Sequence, residues 1–297
     1  MRLRSAGRYV VAGVPLAWLL LFFLVPFVII LCISFSQSAL SIPPYAPIWE
    51  WVGHRVLAVR MHMANYHFLF TDALYVSAFL YSIKVAAIST LLCLLLGYPM
   101  AYGIARATPA TRNTLLLLVI LPFWTSFLLR VYAWIGLLKN NGLINKLLLS
   151  LGIIHEPITM MQTDFAVYVG IVYSYLPFMI LPLYASLEKI NPALLEAAQD
   201  LGSRPWRAFW QVTFPLSLPG VFAGCLLVFI PAVGEFVIPD LLGGSETLMI
   251  GKTLWTEFFN NRDWPLASAV AVLLLLVLII PIVLFQRQQQ LEREAGR

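Results

Sequence analysis

Apolar residues along the chain fall into six runs, approximately 11–33, 78–104, 113–137, 165–187, 218–242 and 266–286. Each is long enough to form the helix of ~20 residues that crosses a hydrocarbon core of ~30 Å. The runs are continuous rather than alternating, which selects helices over a closed barrel as the means of satisfying the backbone in lipid. The pattern therefore predicts an all-α membrane protein with six transmembrane helices. The first run follows Arg2, Arg4 and Arg8 as a signal peptide would. It is longer than an h-region and lacks a small-x-small cleavage site, so it reads as an uncleaved anchor.

The polar intervals set the orientation. With the N-terminus inside, the cytoplasmic side collects eleven cations: Arg2, Arg4, Arg8, Arg106, Arg112, Lys189, Arg204, Arg207, Arg287, Arg293 and Arg297. The outer side has six, Arg55, Arg60, Lys139, Lys146, Lys252 and Arg262. Cytoplasmic loops carry the excess of Lys and Arg, so both termini are expected inside. The long outer segment from about 35 to 77 contains Pro43, Pro44, Pro47, Trp49 and Trp51, and shorter outer segments lie near 138–164 and 243–265. Their aromatics suit either an interfacial belt in the lipid bilayer or a docking surface for an outside partner.

Composition agrees with this picture. Hydrophobic residues make up 61% of the chain and charged residues 11%, against roughly 25% charged in a soluble domain. The net charge of +5 does not point to nucleic acid, because most basic residues sit at span ends. Cys32, Cys93 and Cys225 lie inside apolar runs, where an isolated thiol behaves as a small hydrophobe. His54, His62, His67 and His155 fall in outer segments without metal-ligand spacing, and the chain has no Walker A loop, HExxH or GxSxG.

One polar stretch stands out: "EAAQDLGSRPWRAFW" at 196–210, between the fourth and fifth runs on the predicted cytoplasmic side. Asn191 followed by Pro192 is a strong helix start, and Gly202 is placed to end the helix. Ala197, Ala198 and Leu201 make a low face that lets another surface approach, with Glu196, Gln199 and Asp200 as the polar positions. A second short helix is expected over Trp206 to Val212, stopped by Pro215 and Pro219 before the fifth span. Trp206, Arg207, Phe209 and Trp210 would suit a helix resting on lipid headgroups. The first piece, with small residues beside carboxylates, suits a protein partner better than an anionic lipid surface.

This stretch resembles the EAA motif of ABC importer permeases: Glu196, Ala197 and Ala198, then Gly202, then Val212, Phe214 and Pro215 stand at the motif's spacings, with Val212 and Phe214 as conservative departures. The segments "LPFWTSFLLRVYAWIGLLKNNGLIN" (121–145), "VFIPAVGEFVIPDLLGG" (228–244) and "FFNNRDWPLASA" (258–269) resemble the polyamine-uptake branch of that family, the PotH-type putrescine and PotB-type spermidine permeases. The likeness covers most of the chain from about residue 70. It implies a type I ABC importer permease fold. Residues 1–76 would form the N-terminal transmembrane helix and external segment, 77–286 the transmembrane core with its coupling loop at 189–217, and 287–297 a cytoplasmic tail. It also implies coupling to an ATPase through Glu196, Ala197, Ala198, Asp200, Gly202, Pro205 and Pro215. The implied partners are a second permease subunit forming a heterodimer, a homodimeric ABC ATPase and a periplasmic polyamine-binding protein. ATP and Mg would be bound by the ATPase and no cofactor by this chain, which would itself be no enzyme.

Ionisable residues within spans are costly and so are candidates for function. Lys84, Arg130 and Glu235 lie six or seven residues in from the outer span ends, a depth of roughly 10 Å at ~1.5 Å per residue. They would share one polar layer, either as a structural ion pair of Glu235 with Arg130 or Lys84 or as an outer gate. A polyamine path calls for carboxylates and aromatic faces, and the candidates are Glu235, Asp240, Asp164, Trp124, Tyr132, Tyr173 and Tyr175. Lys84 and Arg130 would repel a polycation unless neutralised, and taken alone they suit an anion. Pro231, Gly234 and Pro239 loosen the helix around Glu235, so 231–240 is expected to line the path. Charge reversal at Glu235 is expected to abolish uptake with assembly intact. An ABC permease for sulfate, iron chelate or sugar, an ion-coupled secondary transporter or channel, and a membrane enzyme are the other readings; dependence on a partner's ATP hydrolysis separates the ABC readings from the rest.

Overall fold

The computed structural model describes residues 11, 13–52, 56–59 and 61–295. Arg2, Arg4, Arg8, His54, Arg55, Arg60 and Arg297, which bear on orientation and site chemistry, lie outside the described residues.

In chain order the elements are α1 (Gly13–Ser34), the antiparallel strands β1 (Trp49–Val52) and β2 (Val56–Val59), and α2 (Ala64–Thr71). Then come α3 (Ala73–Arg106), α4 (Pro109–Ile120), α5 (Phe127–Leu138), α6 (Leu143–Ser150) and α7 (Asp164–Leu187). The remainder are α8 (Pro192–Asp200), α9 (Pro205–Val233), α10 (Val237–Leu241), α11 (Ile250–Trp255) and α12 (Trp264–Ala295). Among the described residues, α1, α3, α7, α9 and α12 are long and apolar enough to cross a membrane, and a sixth crossing is reached by counting one bent pair, Pro109–Trp124 with Phe127–Ser150, as a span. The small hairpin, with Trp49 opposite Val59 and Val52 opposite Val56, is an addition to the all-helical expectation.

Three expectations need correction. The run 113–137 is not one helix: α4 passes into a 3-10 turn at Leu121–Trp124, Thr125 and Ser126 are extended, and the chain turns by 92° before α5. Pro122 lacks the N–H for another helical turn, and the Thr125 hydroxyl bonds to its carbonyl at 2.8 Å. The fifth run does not continue to 242, because α9 stops at Gly234 and the chain resumes as α10. Pro215 and Pro219 do not stop the helix that begins at Pro205. A π-helical turn at Phe209–Thr213, in which Phe214 N donates to Phe209 O five residues back, gives the Pro215 ring the room an α-turn would deny it.

The chain divides into two compact units, with the breaks inside α3, α11 and α12. In the unit of residues up to 76 with 253–277, Asn65 Nδ2 donates to the carbonyls of Ser34 and Ser36, each at 2.9 Å, and the Ser34 and Tyr66 hydroxyls bond at 2.7 Å. These bonds fix α2 to the end of α1. Tyr75 donates to Glu257 Oε1 at 2.8 Å, and Phe258 stacks on Trp264 at 5.1 Å.

The unit of 77–252 with 278 onward is organised around the packing of α7 on α9. Small residues permit it, as in membrane helix pairs generally: a Cβ at Gly220 would lie 2.5 Å from Ser186 Cβ and 2.8 Å from the Pro182 carbonyl. Cys93, Tyr98, Met179, Leu183, Val221 and Val228 belong to the buried cluster that joins α3 to this pair. Tyr98 and Ser217 share a buried 2.8 Å hydrogen bond, so the α3–α9 contact also has a polar tie.

Candidate functional site

Two regions gather the residues that the sequence singles out. The first is the polar loop. Asn191 caps α8, its side chain accepting from Ala193 N at 3.0 Å, and Pro192 occupies the first turn. At the other end Gly202 N donates to Gln199 O at 2.8 Å and Ser203 N to Ala198 O at 3.0 Å. This paired closure requires the left-handed backbone that Gly202 adopts at φ +83°. Between the caps, Glu196, Ala197, Gln199 and Asp200 are exposed, and Leu201 is 90% exposed, a large apolar side chain held out at the tip. Pro205 opens α9 immediately after, and Trp206, Phe209, Trp210 and Phe214 form an aromatic cluster along its first turns. A groove of 590 Å³ runs beside the loop, lined by Ser186, Lys189, Asn191 and Leu194 on one side and Leu216, Pro219 and Gly220 on the other.

A clasp that the sequence does not disclose anchors the base of this loop. Arg112 Nη1 donates to Glu188 Oε1 at 2.7 Å, while Nη2 reaches the carbonyls of Ala105 and Ala107 at 3.3 and 3.5 Å. The α3–α4 connection is thereby tied to the end of α7, just ahead of Asn191. From the sequence, Arg112 counts only as a topology charge.

The second region is a cavity of 410 Å³ lined by Phe123, Phe127, Arg130, Ser174, Tyr175, Phe178, Pro231 and the turn Gly234–Val237. Glu235 is only 7% exposed. Its Oε1 accepts from Val237 N at 3.0 Å and Ile238 N at 3.4 Å, capping α10, and its Oε2 takes a short hydrogen bond from the Tyr175 hydroxyl. Three donors and the start of α10 therefore face the carboxylate. Among the described residues, Arg130 has no carboxylate within ion-pair distance. Its guanidinium carbon lies 5.2 Å from the centre of the Phe123 ring and 5.7 Å from that of Phe127, and its buried Nε and Nη1 have no acceptor among the described residues.

The expected polar layer is therefore partly assembled. Arg130, Tyr175 and Glu235 line one cavity, and Pro231, Gly234, Phe236 and Val237 contribute to its wall. Lys84 does not: it is exposed, with its ammonium 6.0 Å from the Tyr81 ring centre, and Tyr81 donates to Asp164 at 2.6 Å. Asp240 pairs with Lys252 at 3.2 Å. Trp124 and Tyr132 are exposed, and Tyr173 packs on Trp134 beside a separate, wholly apolar cavity. Among the described residues the ion pair of Glu235 with Arg130 or Lys84 does not form, and the donors to Glu235 come from its own turn and from Tyr175. Sequence reasoning misses Phe123, Phe127 and Phe178. A signal is available, because Phe123 and Phe127 stand four apart and one turn before a charged residue in a span.

With this geometry in place, the relatives of the chain are informative. Residues 93–291 match the family described as binding-protein-dependent transport system inner membrane component. The spermidine/putrescine transport system permease protein PotB of Haemophilus influenzae is 38% identical over 282 residues, covering 95% of this chain and 94% of that protein. PotB of Escherichia coli K12 is 43% identical over 220 residues, covering 74% and 80%. A chain of the crystal structure of a bacterial ABC transporter involved in import of the acidic polysaccharide alginate aligns with a TM-score of 0.71 at 17% identity, covering 97% of this chain and 99% of that one; at such identity the likeness is one of fold. The matched region holds α7, α9, the polar loop between them and the cavity around Glu235, so this multi-pass inner-membrane chain belongs to the family of binding-protein-dependent transport system inner membrane components.

Proposed function

We propose that this chain is the permease subunit of an ATP-driven importer that carries polyamines, spermidine or putrescine, across the cytoplasmic membrane, with both termini inside. The observation that supports this most is identity of 38% to a spermidine/putrescine permease across 95% of the chain. The polar loop is the docking element for a separate homodimeric ABC ATPase, which binds ATP and Mg. Glu196, Ala197, Ala198 and Asp200 present the contact surface on a helix fixed at both ends, and Gly202, Pro205 and Pro215 shape the passage into α9. A periplasmic polyamine-binding protein delivers substrate, and a second permease completes the pathway as a heterodimer. Within this chain the path runs by Glu235, Tyr175 and the phenylalanines of the cavity, since carboxylates and aromatic faces are what an alkylammonium recognises. Asp164, Asp240, Lys84, Trp124, Tyr132 and Tyr173 lie off this cavity and would act at its approaches.

The test is ATPase activity of the complete complex reconstituted in lipid, with putrescine, spermidine, sulfate and a sugar as additions. Stimulation by a polyamine with none by sulfate is the expected result. One observation favours a second reading, import of an anion: the unpartnered donors of Arg130 face the cavity. Stimulation by sulfate alone would establish that reading instead.

A further inference from the structure

The cavity around Glu235 holds two opposite charges that do not meet, and the way each is satisfied differs. Glu235 accepts from the Tyr175 hydroxyl and from Val237 N and Ile238 N. Arg130 sits in the first turn of α5, where the helix dipole disfavours a cation. Its buried Nε and Nη1 find no acceptor among the described residues, and the groups that hold the guanidinium are the faces of Phe123 and Phe127. A guanidinium held mainly by ring faces, with donors unsatisfied, is easily displaced.

The rings do not stop at Arg130. Phe123 meets Phe178 edge to face at 5.2 Å, and Phe178 meets Tyr175 at 6.1 Å. Tyr175 then bonds to Glu235. An aromatic wall thus runs from the guanidinium to the carboxylate, a lining suited to a cation that moves from one ring face to the next toward a counter-charge.

We propose that Arg130 is a tethered cation that occupies the ammonium position against Phe123 and Phe127 until the transported cation displaces it. The inference rests on the polyamine reading. It accounts for an arginine in a path for cations: the side chain competes with the substrate and leaves as the substrate enters, so the cavity never holds both charges at the same place. The resident arginine also keeps the empty site from admitting small cations, which makes it a specificity-determining residue.

The test is equilibrium binding of labelled putrescine to the complete permease–ATPase complex in lipid nanodiscs, without the binding protein. Arg130→Gln should bind putrescine roughly three- to tenfold more tightly than the unmodified complex, the size expected for removal of a cation–π competitor. Arg130→Lys should fall between the two, and Phe123→Leu with Phe127→Leu should bind more weakly than either. Unchanged or weaker putrescine binding by Arg130→Gln overturns the proposal. If that variant does not assemble, Arg130→Lys decides, and affinity no higher than that of the unmodified complex overturns it. Failure of the polyamine reading looks different: sulfate binds, putrescine does not, and Arg130→Gln abolishes the sulfate binding. Absence of binding by every complex also overturns the tethered-cation proposal.

Discussion

The polar loop and the cavity use the same device, a side-chain oxygen that caps a short helix, in opposite surroundings. Asn191 caps α8 with a neutral amide in an exposed position, and Glu235 caps α10 with a carboxylate that is 7% exposed. The first cap contributes order to a surface and little else, since water is the alternative partner for its donors. The second holds a carboxylate that is almost wholly enclosed, so that its donors come from the chain itself. Asn191 is the residue at the helix start and Glu235 stands one residue before it, yet both accept from first-turn amides, and only the buried one ties helix position to charge.

Substitutions at the two caps test that contrast, with the largest effect expected at the cavity. Glu235→Gln keeps an acceptor for Val237 N and Ile238 N but removes the charge, so polyamine uptake should fall ~100-fold or more with assembly retained, the loss typical of a buried charge contact. Glu235→Ala should in addition weaken the assembled complex by about 1–3 kcal/mol, read from its thermal unfolding, because Tyr175 and two amides lose their acceptor. Charge reversal also removes the cap, which makes the amide the cleaner test of the path. Tyr175→Phe should reduce uptake roughly tenfold, in line with the loss of one hydrogen bond to a charged group. At the loop, Gly202→Ala places a Cβ on a left-handed backbone at φ +83° and should weaken ATPase docking by ~1 kcal/mol, measured as the ATPase concentration giving half-maximal assembly. Asn191→Ala should cost about as much or less and be restored by Asn191→Ser, since Ser caps equally well. A loop variant that affects uptake more than Glu235→Gln would remove the distinction between the two caps.

The same contrast explains what can be read from the sequence. Asn191, Pro192 and Gly202 act on their immediate neighbours, so α8 and its closure are legible in the residues alone. The six apolar runs are legible because length and composition decide whether a segment can cross lipid. The break at Thr125–Ser126 is not, and Pro231, Gly234 and Pro239 announce a loosened helix but not where it stops, because an apolar run records the solvent of its side chains and not the direction of its backbone. Both breaks sit at the cavity, where neighbouring groups satisfy what the broken helices leave open. The pairing of Arg130 with phenylalanine faces rather than with Glu235 is beyond reach for the same reason: Glu235 is engaged by donors from its own turn and from Tyr175, sixty residues earlier. Lys84 shows the limit of counting depth along a span, since a helix at the right depth still has an outward face.

The π-turn at Phe209–Thr213 has a mechanical meaning. By accommodating Pro215 it makes Pro205–Val233 one uninterrupted helix of 29 residues, a rod of about 40 Å at ~1.5 Å per residue. One end is the exit from the polar loop and the other is the break at Gly234, next to Glu235. The turn that looked like an irregularity is the splice that lets one beam reach from the proposed motor to the charge.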